Sequence, residues 1–415
     1  MLTATVLVVM LLAAAGGFQT IWCSRFAALF RQPKSQPVPD AALPKVAVVM
    51  TLRGADPFLD RTLQGLTQLD YPRYDIRIIV DNKEDPAWEM VQRIVAQRAC
   101  KNVVVEELSQ RRSTCSLRMS SLIQAVAGLD DSYDVVTIID ADVVTYPTYL
   151  RDLVAPMSDP EVGATSGVRW FMPDEANAGS LVRYIWNAAA VAQMHAFGVG
   201  WGGSLAVRTS LLRDANILDK WSKIMFEDTF TVGEVQSLGA KLKWVAEATM
   251  INRESIDVKG CTKFISRQIL NARMYHRSWR AIAAYAVLSA LALNGAILVG
   301  AAALLLGHTA EAGAVGGALA GYAACMAALL IWSEAVARGV ARQRGELIQP
   351  LTWKLIGAGL LTHYVYLASV LMAVRVKEIE WRGIKYNLGG PRKVHLQHYA
   401  PFRPHHAAQD ARVSL

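Results

Sequence analysis

Four stretches of this chain contain no Asp, Glu, Lys or Arg: Met1 to Ser24, the residues between Arg280 and His308, Ala312 to Ser333, and Leu355 to Val374. Each reaches or exceeds the roughly 20 residues a helix needs to cross about 30 Å of hydrocarbon. A chain of 415 residues built this way has room for one large soluble domain, and that domain must lie between the first stretch and the second. The 53% hydrophobic content is therefore unevenly distributed, and most of the charge falls in the middle of the chain.

The first stretch offers Ala13 to Gly17 as a small-residue cleavage region, but it has no basic segment ahead of it, and its cations follow it. An uncleaved anchor is expected rather than a signal peptide. Arg25, Arg31 and Lys34 lie just beyond it, so the positive-inside rule places the next domain in the cytoplasm. Three further crossings would carry the C-terminus outside, whereas Arg375, Lys377, Arg382, Lys385, Arg392 and Lys393 argue that it stays inside. One apolar stretch must then lie in the interface or re-enter; the last, with Thr362, His363, Tyr364 and Tyr366, is the most polar and the first candidate. The expected division is an anchor over 1–24, a linker over 25–44, a cytoplasmic catalytic domain over 45–279, transmembrane or interfacial helices over 280–375 and a basic tail over 376–415. The setting expected is a bacterial inner membrane.

The net charge of +8 is accounted for by membrane-flanking Lys and Arg, and no nucleic-acid motif accompanies it. Five cysteines stand at scattered positions, none paired at metal-ligand or redox spacing, which fits a reducing compartment and speaks against a disulfide framework or zinc.

Between the Pro-rich linker from Gln32 to Pro44 and the second apolar stretch, short apolar runs alternate with helical patterns, which predicts an α/β domain with a mostly parallel sheet. Val46 to Thr51, Ile76 to Val80, Val103 to Val105 and Val135 to Ile139 read as strands. Asp56-Pro57 reads as an N-cap with proline at the first helical position, and a second helix is expected from about Pro86. Gly179 to Gly198 is helical in pattern, as a core helix or as one lying at the membrane surface.

The strand Val135 to Ile139 ends in Asp140-Ala141-Asp142. Open α/β sheets place ligands at the carboxyl ends of their strands. Two carboxylates there suit a hard divalent cation, which takes oxygen ligands and neutralises phosphate, although a simple turn is the plainer reading. Asp81 ends its strand in the same way, followed by Glu84 and Asp85. A carboxylate so placed can accept the N3–H of a uracil ring or bind a ribose hydroxyl; an Asx turn is the alternative. Gly200-Trp201-Gly202-Gly203-Ser204 precedes Phe226-Glu227-Asp228, which opens a predicted helix running to Leu238. Small residues let backbone approach a sugar, and an acid at a helix start can be held toward a pocket, or can merely offset the helix dipole.

In order along the chain, Arg53-Gly54-Ala55-Asp56-Pro57, Asp70-Tyr71-Pro72-Arg73-Tyr74, Glu84-Asp85-Pro86-Ala87, Asp140-Ala141-Asp142, Gly202-Gly203-Ser204, Phe226-Glu227-Asp228 and Trp381-Arg382-Gly383 resemble the membrane-bound family 2 glycosyltransferases of the GT-A fold. The resemblance is closest to the ceramide glucosyltransferase branch and its bacterial relatives that glycosylate lipids such as hopanoid precursors. It implies a Rossmann-like GT-A catalytic domain joined to transmembrane helices, and a UDP-sugar donor bound through Asp81, Asp85, Arg53 and Asp140. It also implies Mg²⁺ or Mn²⁺ held by Asp142 with Asp140, and Asp228, beside Glu227, as the general base in an inverting transfer to a membrane lipid such as a ceramide-like lipid, diacylglycerol or a hopanoid. Gly202 and Gly203 would border the acceptor. The family's Gln or Arg, two variable residues, then Arg-Trp is matched by Arg267-Gln268-Ile269-Leu270-Asn271, with leucine and asparagine replacing Arg-Trp. Arg267 and Arg273 are the candidates to supply the lost charge at the diphosphate, unless they are membrane-flanking cations. A processive polysaccharide synthase uses the same catalytic parts but needs a polymer channel, for which three or four spans give little material; a non-catalytic nucleotide- or lipid-binding scaffold is the remaining alternative.

Overall fold

A computed structural model describes residues 1–33 and 38–402; Lys34 and the last part of the expected basic tail lie outside the described residues. In chain order the elements are α1 (Leu2–Leu29), β1 (Val46–Leu52), α2 (Leu59–Leu66), β2 (Tyr74–Val80), α3 (Pro86–Arg98), β3 (Val103–Glu107), α4 (Leu117–Ala127), β4 (Val135–Ile139), α5 (Tyr149–Val154), β5 (Val162–Phe171) and α6 (Ala178–Phe197). They continue with β6 (Ser204–Arg208), α7 (Thr209–Asp214), α8 (Ile217–Trp221), α9 (Asp228–Ser237), β7 (Lys241–Asn252), α10 (Val258–Tyr275), α11 (Trp279–Leu305), α12 (Thr309–Gln343), α13 (Leu355–Arg375), β8 (Glu378–Trp381), β9 (Ile384–Gly390) and β10 (Lys393–His398).

Seven strands form one sheet in the order β3-β2-β1-β4-β6-β5-β7. Strands β1 to β4 run parallel, and β6 is antiparallel to both its neighbours. Strands covered on both faces need apolar side chains at nearly every position rather than at alternate ones. That is why β1 and β4, at the centre, are continuous apolar runs buried almost throughout. The chain winds from β1 outward to β3 and then returns to β4, so β1 and β4 flank a switch point, where a crevice opens at the strands' carboxyl ends. Register decides what meets there. Leu52 pairs with Val80 and Met50 with Ile139, so Arg53, Asp81 and Asp140 emerge along one edge. On the other side of β4, Ile139 pairs with Ser204, which brings Gly203 against Asp140.

Helix starts follow local chemistry. The side chains of Asp85, Ser116, Asn177 and Asp257 accept backbone N–H groups at the beginnings of α3, α4, α6 and α10, each satisfying an orphan donor. Asp56 does not serve α2 in this way: that helix begins three residues later, after Phe58, and the Asp56 carboxylate instead accepts from Arg382 at 2.7 and 2.9 Å. Helix α6 is a core helix, with Leu181, Val182, Tyr184, Trp186, Val191 and Ala192 buried.

Among the described residues four helices, α1, α11, α12 and α13, are long and apolar enough to cross a membrane. The first runs to Leu29, past the expected end of the anchor and through Arg25. Val8, Leu12 and Ala15 of α1 pack with Ala292 and Ala296 of α11 and Val315 and Tyr322 of α12. The end of α12 docks on the sheet, where buried Glu334 accepts from Trp170 Nε1 at 2.7 Å and from Arg338 at 2.6 Å. The stretch expected as a basic tail carries, over its described part, an antiparallel sheet in the order β10-β9-β8, and that sheet closes one side of the crevice.

Candidate active site

Arg53, Asp56, Asp81, Arg118, Asp140, Asp142, Arg267, Trp381 and Arg382 line a cleft at the carboxyl ends of β1, β2 and β4. Asp81 is only 2% exposed. Its carboxylate is paired with Arg53 and with Arg111, whose Nε lies 3.4 Å away. Arg53 in turn donates through Nε to the carbonyl of Arg382 and through Nη2 to that of Ala400, each at 2.8 Å. The ring of Tyr399 covers the Arg111 guanidinium at 4.5 Å. Asp85 stands behind this group. One of its oxygens takes the Gly54 amide at 2.8 Å and the other caps α3 through Ala87 at 2.9 Å, and burial pushes its carboxyl up against those backbone N–H groups. Gly54 sits at φ 78°, a conformation that favours glycine.

Asp140 accepts from Arg118 at 2.9 Å and Asp142 from Asn252 at 2.8 Å. Burial, and then the charges of Asp140, Glu254 and Asp56, push the Asp142 carboxyl up to about 7. A carboxylate held at such a cost calls for positive charge. Among the described residues no three His, Cys, Asp or Glu side chains form a ready-made cage. The donor set therefore fits a cation that takes one or two carboxylates and completes its shell with phosphate oxygens and water, as Mg²⁺ commonly does.

The two adjacent acids at the start of α9 have different fates. Glu227 is 4% exposed, and its Oε1 accepts from Arg118 through both Nε, at 2.8 Å, and Nη2, at 2.6 Å. Burial raises its carboxyl above the usual range even so. Arg118 pays a burial penalty, but Glu227 and Asp140 outweigh it and hold the guanidinium firmly charged. Asp228 is half-buried and lines the cleft beyond Glu227. It accepts from the Gly202 amide at 3.2 Å, and from the Thr229 amide and Asn271 Nδ2, both at 2.6 Å. As the first residue of α9 it also lies at the positive end of the helix dipole.

Gly202 and Gly203 are required by close approach. A Cβ on Gly202 would lie 2.7 Å from Glu227 Oε1, and one on Gly203 would lie 2.4 Å from the Trp201 ring and 2.7 Å from Asp140 Oδ2. Arg267 faces the same cleft, stacked 5.2 Å from the Trp381 ring; burial, and then Arg382 and Arg169, push it down to about 10. Arg273 is placed elsewhere: it donates to the carbonyls of Ala373 and Val374 at 2.5 and 2.6 Å, at the end of α13.

Arg111, Arg118, Arg169 and Asn252 were not singled out by the sequence, and Trp201 and Asn271 stood inside motifs it quoted without a role of their own. Arg118 is the one charged residue in the first turn of α4, between buried Leu117 and Met119, a signal that it faces something other than solvent. Its partner lies 109 residues away, and no local pattern identifies it.

The fold resembles that of a mannosyltransferase, PcManGT from Pyrobaculum calidifontis in complex with GDP-Man and Mn2+, with a TM-score of 0.55 at 18% identity over 90% of this chain and 99% of that one. A more partial likeness is to glucosyl-3-phosphoglycerate synthase from Mycobacterium tuberculosis in complex with phosphoglyceric acid, with a TM-score of 0.36 at 14% identity over 55% of this chain and 81% of that one. The fold is thus GT-A-like. The family model for glycosyl transferase family 21 matches residues 5–394. That match runs from the first apolar helix through the strand ends, both acids of α9 and Arg267 into the C-terminal sheet, and on it the chain belongs to glycosyl transferase family 21 and is a glycosyltransferase.

Proposed function

We propose that this glycosyltransferase moves one sugar from a UDP-sugar to a hydroxyl of a membrane lipid, ceramide-like, diacylglycerol or hopanoid, with inversion at the anomeric carbon and with its catalytic domain on the cytoplasmic side. The observation that carries the reading is the division of labour at the start of α9: Glu227 is sealed against Arg118, while Asp228 faces the cleft with three donors fixing its orientation. Three donors on its two oxygens hold the carboxylate in one orientation toward the cleft, as a general base requires.

Asp228 takes the proton of the acceptor hydroxyl as that oxygen bonds to the anomeric carbon and the bond from that carbon to the diphosphate breaks. Asp81, steadied by Arg53 and Arg111, reads the base or ribose; Asp85 supports it by holding Gly54 and capping α3. Asp142 with Asp140 would hold Mg²⁺ or Mn²⁺, which when bound neutralises charge on the departing diphosphate. Arg267 offers that group a cation from the other wall of the cleft. A lipid acceptor is supported by the neighbourhood: Arg267, Gln268 and Asn271 border the cleft from α10, and α10 packs against α13, one of the four membrane-length helices.

In the purified protein, Asp228→Asn is expected to lower turnover by about 10³-fold, within the range a positioned base supplies, while the UDP dissociation constant moves less than about threefold. Product mass after incubation with lipid and UDP-sugar panels, together with calorimetric UDP titration, measures both. Turnover within about tenfold of wild type would remove Asp228 as the base.

A further inference from the structure

Beyond β10 the chain turns back over the end of the cleft that holds Asp81. Tyr399 and Phe402 are half-buried while Ala400 and Pro401 between them are exposed, so two aromatic rings are turned in against the catalytic domain. The Tyr399 ring lies 4.5 Å from the Arg111 guanidinium and 5.8 Å from that of Arg53, and the Phe402 ring lies 5.8 Å from Arg53. Phe402 also rests on Gly54, where a Cβ would come within 2.7 Å of its ring. Between the rings, the Ala400 carbonyl accepts from Arg53 Nη2 at 2.8 Å. Arg53 and Arg111 are the two cations paired with Asp81, so every one of these contacts falls on Asp81's immediate surroundings.

What the segment presents there is the chemistry of a nucleobase: flat rings set against guanidinium groups, and a carbonyl that takes an arginine N–H. Its attachments are of a kind that a ligand can exchange for its own. Strand β10 ends at His398, and among the described residues no backbone-to-backbone hydrogen bond fixes residues 399–402. Asp81 is 2% exposed, so a nucleoside can bond its carboxylate only after something over it moves. Residues 399–402 are the least tied part of that cover, because Arg53 and Arg111 are each anchored by charge to Asp81 itself.

We propose that residues 399–402 are an autoinhibitory strap: the rings of Tyr399 and Phe402 and the carbonyl of Ala400 stand in the place of the donor's base, and nucleotide binding displaces them. The inference rests on Asp81 reading the base or ribose. A site whose open form is the minor one binds its ligand more weakly in proportion to the fraction open. The strap therefore sets the apparent affinity for the donor without touching the reacting atoms, and none of its contacts involves Asp140 or Asp142.

Full-length protein in detergent is titrated calorimetrically with UDP and with pyrophosphate, each in the presence of Mn²⁺. Phe402→Ala, and the double variant with Tyr399→Ala, are expected to lower the UDP dissociation constant by about tenfold, as for a site open about a tenth of the time in wild type. Phe402→Tyr, which keeps a ring, is expected to stay within about twofold of wild type. Pyrophosphate has no nucleoside to reach Asp81, so its dissociation constant is expected to move less than about twofold in every variant. Melting curves confirm that the variants fold. UDP binding that is unchanged or weakened in both alanine variants, or pyrophosphate binding that tightens as much as UDP binding, overturns the strap. No UDP binding in any form, or an Asp81→Asn variant that binds UDP as wild type does, overturns the donor reading of this end of the cleft, and the strap falls with it.

Discussion

Arg118 does at one atom what most sites spread over several. Its Nη2 reaches both Asp140 and Glu227, so the end of β4 and the start of α9 are fixed to each other by one buried cation. Removing one partner of a buried pair leaves the other charged in a poor solvent, at a cost of about 3–5 kcal/mol. Arg118→Met is expected to lose stability on that scale, and the double variant with Glu227→Gln to regain most of it while remaining inactive, as read by melting curves and turnover. Asp142 gives a pH signature. Its carboxyl is raised to about 7 in the folded chain from about 3.9 when unfolded. The folded state therefore holds its proton more tightly, and the associated stability is full at low pH and lost as pH rises through 7. Melting temperature without metal should fall between pH 5 and pH 8, less steeply in Asp142→Asn, and Mn²⁺ at pH 8 should raise it more in wild type than in the variant. Both aspartates of this edge were legible in the sequence, because an apolar strand that stops at a carboxylate marks its own end. Arg118 and Asn252 were not, because what they bond is decided by strand order.

The hairpin between β8 and β9 shows how an element can hide. Ile384, Tyr386 and Leu388 are buried while Lys385 and Asn387 between them are exposed, the period-2 pattern of a half-covered strand. The density of Lys and Arg nearby made the segment read as a solvated tail. Its turn places Arg382 at φ 50° and Gly383 at φ 73°, two successive residues in the region that tight two-residue hairpin turns require. An arginine there is held by what it bonds: its guanidinium grips Asp56, and its carbonyl takes Arg53. Arg382→Ala is expected to leave Asp56 buried without its cation and to loosen Arg53 beside Asp81, weakening UDP binding by about tenfold or more. Calorimetric titration tests this; an unchanged dissociation constant would show that Arg53 holds its place through Asp81 and Ala400 alone. The central strands, by contrast, were readable, because burial on both faces demands an unbroken apolar run that little else in a soluble domain imitates.

The C-terminal sheet also constrains how the whole molecule meets a membrane. It is fastened to the catalytic domain from several sides: by Arg382 on Asp56, by the Leu396 amide on the Ser113 carbonyl at 2.8 Å, and by Tyr386 Oη, which accepts the Leu117 amide at 3.2 Å. The chain leaves that domain after α10 and returns to it at β8, so the segment between them must cross a bilayer an even number of times. It contains three helices of membrane length. Helices α11 and α12 pack with α1 into a bundle and are joined by a short turn at Leu306 to His308, the arrangement of a crossing pair. Helix α13 is tied along the catalytic domain instead: Ser266 of α10 donates to the Ser369 carbonyl and Ser369 to the Thr262 carbonyl, both at 3.2 Å, while Arg273 caps its last turn. Trp353 just ahead of it and Ile356 within it are about four-fifths exposed, as an apolar surface resting in the interface would be in the absence of lipid. The topology expected from these contacts, and from the parity that the basic C-terminal residues ask for, has α13 beside the bilayer and α1, α11 and α12 through it. Single cysteines introduced into a cysteine-free background at His308, Leu347 and Lys377 test the arrangement with a membrane-impermeant thiol reagent. Positions 347 and 377 should label from the same side as the catalytic domain and position 308 from the other. Labelling of 347 and 377 from opposite sides would mean that α13 crosses, and the sheet that carries Trp381 and Arg382 could not then reach the cleft it lines.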